Sequence, residues 1–406
     1  MHFCSAILVI CGLVVGCGST VVAGSGNSYY VDASTKTTSI SYIGRVANNE
    51  TGAYFDWVAS GFQFRVVACS SDSDTDTDTD SNSFITVAGN VSMDITAGSN
   101  RFGVFLGPLR DNYVSDVWTS GGGLDRKVYG IVSANQALAA GGIVTVLKTT
   151  EDCFLKQQVV HLHGLVLPPG LCLAPLPSLP PTKQKRIDFY GDSDTAGFGV
   201  EGAASTSGVT CWLSMEKFEN WADGWARRSL NILAANDTAP VDARVQAVSG
   251  IGVYRNAAAG IGTPTFSTQT MPKVLRRTLY SEDADDYNPN GWVPDLIVIY
   301  LGSNDYEAQL KAPTTQQFSD TYAAMTKTIL SIYPSSPSIP VLHICGGEAN
   351  PCDAIKAFAA TANQTYTTTF DLGVPKAGCI GHRSKPQQFS LGTKMATVMA
   401  KSAGWH

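Results

Sequence analysis

Two rhythms of apolar and polar residues divide the chain. Between residues 28 and 167, short β-branched and aromatic runs such as "TTSISYIGRV", "AYFDWVASGFQFRVVACS", "SFITVAGNVSMDI", "RFGVFL" and "GGIVTVLKTT" are separated by turns of Gly, Asn and Asp. No helix-length amphipathic stretch interrupts them, which predicts an antiparallel β-sandwich or jelly roll. Residues 168–185 fall in a proline-rich stretch, "LVLPPGLCLAPLPSLPPTKQ". Its paired prolines withhold the N–H donors that a helix or central strand needs, so it reads as a connector lying along a surface. From residue 186 to 406 the rhythm becomes strand, loop, helix. "RIDFYG", "ARVQAVSG", "PDLIVIYLG" and "PVLHICGG" read as strands. "SMEKFENWADGWARRSLNILAAN", "QQFSDTYAAMTKTILSIY" and "LGTKMATVMAKSAG" read as helices. Continuously apolar strands alternating with helices predict a parallel sheet covered on both faces, with chemistry at the carboxyl ends of its strands.

The first 23 residues, "MHFCSAILVICGLVVGCGSTVVA", hold an apolar run from Ala6 to Cys17 that is too short to span a bilayer. With a cleavage point after Ala23 they read as a secretory signal, although the segment before the run lacks Lys and Arg. "LVVGC" also fits a lipoprotein box in which Cys17 is acylated. Secretion places the remaining cysteines, Cys69, Cys153, Cys172, Cys211, Cys345, Cys352 and Cys379, where some should pair. Cys379 with Cys345 or Cys352 is the first expectation, and the set lacks the CxxC pairs of a zinc site. Sequons stand at Asn49, Asn90, Asn236 and Asn363.

In 406 residues, a composition of 44% hydrophobic and 15% charged residues is too apolar for disorder, and the length suits two domains. The net charge of −6 supplies no basic surface for a nucleic acid, and no later segment has the length and apolarity of a membrane span. The run "SSDSDTDTDTDSNS" has nothing to bury and reads as a solvated loop. The sharper alternative is a calcium site formed by Asp72, Asp74, Asp76, Asp78 and Asp80, although the run lacks the Gly and terminal Glu of an EF-hand.

The candidate chemistry sits at three strand ends, "YGDSDTAG", "SGIGVYRN" and "YLGSNDYE", and in "GCIGHRS" before the last helix. One reading makes Asp192 the nucleophile of a haloacid-dehalogenase-type phosphatase, with Asp194 as acid/base and Mg²⁺ between them. The later loop of that family requires a carboxylate where Leu301 stands, which weakens the reading. The other makes Ser193 the nucleophile in a tight turn, with His382 as its base. The N–H groups of Ser193 and Gly250 and the side-chain amide of Asn304 then form the oxyanion cradle. Asp192 braces the turn and Asp194 is expected at the surface. Plainer roles exist for each residue: Asn304 as a helix cap, Gly250 as a positive-φ turn, and His161, His163 and His343 as ordinary core or surface histidines. Tyr254, Tyr306, Trp118, Trp212 and Trp292 are candidates for stacking on a sugar ring, or for core filling.

These blocks resemble those of the SGNH (GDSL-type) hydrolases, and within them carbohydrate esterase family two. "FYGDSDTAGFGVEG", "SGIGVYRN", "DLIVIYLGSNDYE" and "GCIGHRS" match the four blocks in order, and "YIGRVANNETGAYFDWVASGFQFRV" with "VTVLKTTED" is similar to the β-half. The resemblance implies an SGNH-type three-layer α/β/α hydrolase domain preceded by an all-β jelly-roll domain. It also implies a secreted, cofactor-independent enzyme that removes O-acetyl groups from plant polysaccharides or oligosaccharides, with Ser193, Gly250, Asn304 and His382 in the roles above. The family's usual Asp three residues before the histidine is Cys379, and Ile380 and Arg383 also depart from the pattern. Asp371 and Glu348 are remote substitutes, so the resemblance implies a Ser193–His382 dyad whose imidazole leans on a main-chain carbonyl. A carbohydrate-binding protein with an inactive hydrolase domain, and a GDSL esterase for other acyl groups, are the alternatives.

Overall fold

The computed structural model describes residues 21–23, 28–33, 39–69, 87–120, 125–151, 159–177, 184–237, 239–257, 269–306, 311–334, 338–346, 351–362, 365–369 and 374–405. Residues 1–20 of the expected signal segment, the Asp/Thr run and Cys153 lie outside them, and Val21–Ala23 forms strand β1.

The first half is two antiparallel sheets around one apolar core. One contains β1, β2 (Tyr29–Asp32), β4 (Ala47–Asn49), β5 (Gly52–Phe55), β7 (Asn90–Thr96), β10 (Lys127–Ser133) and β12 (Val160–Leu167). The other contains β3 (Ile40–Ile43), β6 (Gly61–Ala68), β8 (Arg101–Leu106), β9 (Asn112–Trp118), β11 (Ile143–Lys148) and β13 (Leu171–Ala174). Phe62 and Phe64 of β6 meet Val91 and Met93 of β7 in the shared core. Two features depart from the sequence pattern. A short helix, α1 (Ala134–Ala139), capped by the Ser133 side chain, follows β10. Leu171–Ala174, expected in the connector, pairs with β6 instead, and Cys172 bonds Cys69 at the end of that strand. Because β13 is an edge strand with its prolines outside it, only one side of its backbone has to be satisfied.

The second half is a parallel sheet of β14 (Lys185–Gly191), β15 (Val241–Ala247), β16 (Leu296–Tyr300), β17 (Val341–Cys345) and β18 (Thr365–Thr369), in the order β15-β14-β16-β17-β18. Along β16, Leu296, Val298 and Tyr300 face a core shared with α5 (Trp225–Asp237) and α9 (Lys385–Ser402). Ile297 and Ile299 face α6 (Met271–Val274), α7 (Thr315–Ser331) and α8 (Cys352–Thr361) on the other side. This alternation makes three layers and explains why the strands read as unbroken apolar runs. Capping boxes on Thr314 and Ser384 start α7 and α9. The helical stretch at 214–236 is broken into α4 (Met215–Phe218), a 3₁₀ turn at Trp221–Asp223, and α5. Asn220 caps the turn, and the Trp221 N–H donates to the Thr149 carbonyl, so a contact with the first half overrides the local helical pattern.

The halves share a core: Ile43, Val58, Phe105 and Leu147 pack with Phe189, Trp221 and Trp225. Polar groups seal the junction. The buried Arg45 guanidinium donates to the carbonyls of Leu275 (2.6 Å) and Arg277 (2.8 Å), and Asp56 accepts from the N–H groups of Tyr280 and Ser281.

Candidate active site

The strand order reverses direction around β14: the chain goes from β14 to β15 on one side, then back to β16 on the other. Loops leaving such a switch point diverge and leave a crevice at the carboxyl ends. The Ser193, Gly250 and Asn304 segments follow these three strands. Gly191 ends β14 where a Cβ would lie 2.2 Å from Thr195 Oγ1, so only glycine permits the sharp turn. Asp192 then caps α2 (Ser193–Ala196), accepting the Asp194 N–H at 3.2 Å. Its other carboxylate oxygen accepts the Ser303 hydroxyl at 2.8 Å, tying the loop after β14 to the loop after β16.

His382 Nε2 lies 2.8 Å from Ser193 Oγ. Its Nδ1 lies 3.0 Å from the Cys379 carbonyl and 2.9 Å from the Ile380 carbonyl. Both carbonyls only accept, so Nδ1 carries the hydrogen and Nε2 presents its lone pair to the serine hydroxyl. Ile380 sits at φ 48°, ψ 51° and so turns two successive carbonyls onto one nitrogen. The Phe198 ring meets the imidazole edge-on at 4.7 Å. Burial holds the His382 pKa below the ordinary histidine value, against the upward pull of Asp194.

Gly250 has φ 77°, a conformation that suits glycine. Among the described residues no acceptor is paired with the N–H of Ser193 or of Gly250, so both are open to an incoming oxygen. The Asn304 amide is not idle, contrary to its expected freedom. It donates to the Ile251 carbonyl at 2.8 Å and approaches Asp192 Oδ2 at 3.4 Å. The second contact is long enough to yield its hydrogen to a developing oxyanion.

Asp194, expected at the surface, is buried. It pairs with Arg383 at 2.7 Å and accepts the Tyr300 hydroxyl at 3.2 Å. Arg383, which departs from the family pattern, is thus the counter-ion that lets a second carboxylate sit beneath the site. Burial alone would raise the Asp194 pKa, but Arg383, His382 and Lys376 outweigh it and hold it below the usual range. Asp192 is pushed the other way, to about 7, by burial and by the charge of Asp194. With Asp194 committed to Arg383, the phosphatase reading loses its acid/base, and no cluster of three His, Cys, Asp or Glu suited to a metal occurs among the described residues.

Three supports were not found from sequence. Asp305 is fully buried and accepts the N–H groups of Val253, Tyr254 and Arg255 at 2.6–3.0 Å, welding the loop after β16 to that after β15. Glu151, from the first half, accepts the Ser249 N–H at 2.5 Å beside Gly250, and burial raises its pKa to about 7. Cys211, in α3 (Gly208–Leu213), bonds Cys379. The expected pairing of Cys379 with Cys345 or Cys352 is corrected by this bond, because those two cysteines flank the β17–α8 loop and join each other. Tyr254 is 42% exposed, and Tyr306 packs part-buried against Phe318. Trp118 stands exposed with one face on Arg101, whereas Trp292 is tied to Asp242. The side chain of Trp212, and Glu348 and Asp371 altogether, lie outside the described residues. His343 is buried against the Tyr322 hydroxyl, and His161 and His163 bond Thr51 and Thr96.

No family model matches the chain. A curated acetylxylan esterase / glucomannan deacetylase of Cellvibrio japonicus is 29% identical over 130 residues, about a third of each chain (32% and 32%). A family two carbohydrate esterase from Clostridium thermocellum, solved in complex with cellohexaose, superposes with a TM-score of 0.68 at 19% identity. The match covers 90% of this chain and 100% of that one. The protein has the fold of the family two carbohydrate esterases. An acetyl xylan esterase of Butyrivibrio proteoclasticus superposes with a TM-score of 0.67 at 11% identity over 94% of this chain and 100% of that one. The likeness covers nine-tenths or more of this chain, so it takes in both halves of the molecule. Among the described residues no helix is long and apolar enough to cross a membrane.

Proposed function

We propose that the protein is a secreted carbohydrate esterase that removes O-acetyl groups from plant cell-wall polysaccharides or oligosaccharides by a Ser193–His382 dyad. The observation that carries the reading is the 2.8 Å approach of His382 Nε2 to Ser193 Oγ, with Nδ1 occupied by two carbonyls. As Ser193 Oγ bonds to the acetyl carbon, its proton passes to Nε2. The carbonyl oxygen becomes an oxyanion facing the N–H groups of Ser193 and Gly250 and the Asn304 amide. Collapse breaks the bond to the sugar oxygen, which takes the proton from Nε2 and leaves as an alcohol. Water, deprotonated by the same nitrogen, then attacks the acetyl-serine; the bond to Oγ breaks, Nε2 returns the proton to Ser193 Oγ, and acetate is released. A curated relative over about a third of the chain is an acetylxylan esterase / glucomannan deacetylase, which supports this substrate class. Tyr254 and Tyr306, on the two loops joined by Asp305, are the proposed sugar contacts, and the first half is a jelly roll that completes the site.

Acetate release from acetylated xylan and from 4-nitrophenyl acetate tests this. Ser193→Ala should lose at least ~10³-fold of kcat/KM. Equal turnover by both proteins would remove Ser193 from the chemistry, and glycan binding without turnover by either would make this a binding protein.

A further inference from the structure

The residue that replaces the usual aspartate is itself fastened. Cys379 is bonded to Cys211 of α3 across 168 positions of sequence, with Cα atoms 6.2 Å apart. Both are fully buried with Phe198, and Ile380 and Phe218 close the cluster. The Cys379 and Ile380 carbonyls that receive His382 Nδ1 therefore belong to residues whose side chains are anchored in this cluster. Ile380 holds a positive φ of 48° that β-branched residues rarely adopt, so this convergence of carbonyls has to be imposed by its surroundings. The loop is also tied by main-chain bonds, Cys379 N–H to the Gly199 carbonyl, Gly378 N–H to the His382 carbonyl and His382 N–H to the Cys379 carbonyl, and by the Arg383–Asp194 ion pair.

We propose that the Cys211–Cys379 disulfide is the positioning element of the dyad: it holds the two carbonyls on His382 Nδ1 and so does by covalent bracing what a carboxylate would do by charge. The inference rests on the esterase reading of Ser193 and His382. It goes beyond that reading because it makes turnover depend on a bond that touches neither substrate nor either reacting atom. Loosening the loop costs the imidazole its orientation. It also costs the imidazolium two acceptors, and both carbonyls raise the affinity of the ring for a proton. Loss of the bond should therefore lower the His382 pKa further and move the acid limb of the rate profile to lower pH.

The test uses full-length Cys211→Val, which keeps an apolar side chain in the cluster, and Cys379→Ala, which keeps the carbonyl. A Cys69→Ala/Cys172→Ala variant serves as the control, because it removes a disulfide in the first half. Each is assayed on 4-nitrophenyl acetate where circular dichroism shows it folded, beside wild type and wild type reduced with dithiothreitol. The expected result is a fall in kcat of roughly ten- to a hundred-fold with KM little changed, an acid limb at lower pH in both Cys211→Val and Cys379→Ala, and neither change in the control. Unchanged kcat, a fall without a shift of the limb, or the same fall in the control would overturn the proposal. NMR titration of the His382 ring reads the same shift without turnover. An inactive wild type would thus sink the esterase reading while the clamp is still judged by its own signal.

Discussion

In the proposed mechanism His382 must gain a proton in a place that disfavours charge. Burial keeps its pKa below the ordinary histidine value, so the ring stays neutral and competent as a base at mildly acidic pH. The kcat/KM profile should accordingly rise with pH through a midpoint below about 6.5, and a midpoint above that value would contradict the geometry. Two carboxylates near the ring divide the labour. Asp194, kept ionised by Arg383, supplies fixed negative charge, whereas Asp192, pushed up to about 7, works chiefly by accepting hydrogen bonds from Ser303 and the Asp194 N–H. Sequence alone could place Asp192 in the nucleophile turn because the turn is local. It could not bury Asp194, since the partner that permits burial is 189 residues away.

The proposed oxyanion segment after β15 is held from two sides. Asp305 gathers three of its N–H groups, and Glu151 reaches across from the segment after β11 to take that of Ser249. Glu151→Ala leaves that buried N–H without an acceptor and should cost about 1–3 kcal/mol of stability, read from denaturant unfolding, together with a loss of kcat. Glu151→Gln keeps an acceptor and should retain most of the rate. Its stability also carries a sign. The folded carboxyl has a raised pKa, so its contribution is whole below the unfolded value and is lost as pH rises through about 7. Wild type should therefore lose stability relative to Glu151→Gln on going from acidic to neutral pH, and an opposite trend would refute the burial argument. The elements around the site were legible where periodicity is strong, as in β14, β16, α7 and α9. They were illegible where a distant group decides: Thr149 breaks the helix before α5, β6 recruits β13 from the proline-rich stretch, and cysteine partners are set only by the folded chain.

At the scale of the molecule the halves share one core and a set of buried polar ties. Phe105 and Leu147 share a core with Trp221 and Trp225, while Arg45 and Asp56 satisfy main-chain groups of the parallel-sheet half. Separating the halves would expose that core and leave those groups unpaired, so calorimetry of the full chain should show one transition whose calorimetric and van't Hoff enthalpies agree. Two resolved transitions would mean the junction is loose. The same junction delivers Glu151 to the loop after β15, so the proposed site, drawn from four loops of the second half, also rests on the first. The most direct test of the whole account is to quench the protein in acid during turnover of 4-nitrophenyl acetate and map the acetylated peptide by mass spectrometry. The account predicts an acetyl group on Ser193 that builds up during turnover and is absent in Ser193→Ala. Acetate release with the label on another residue, or with no covalent intermediate and no dependence on Ser193, would contradict it.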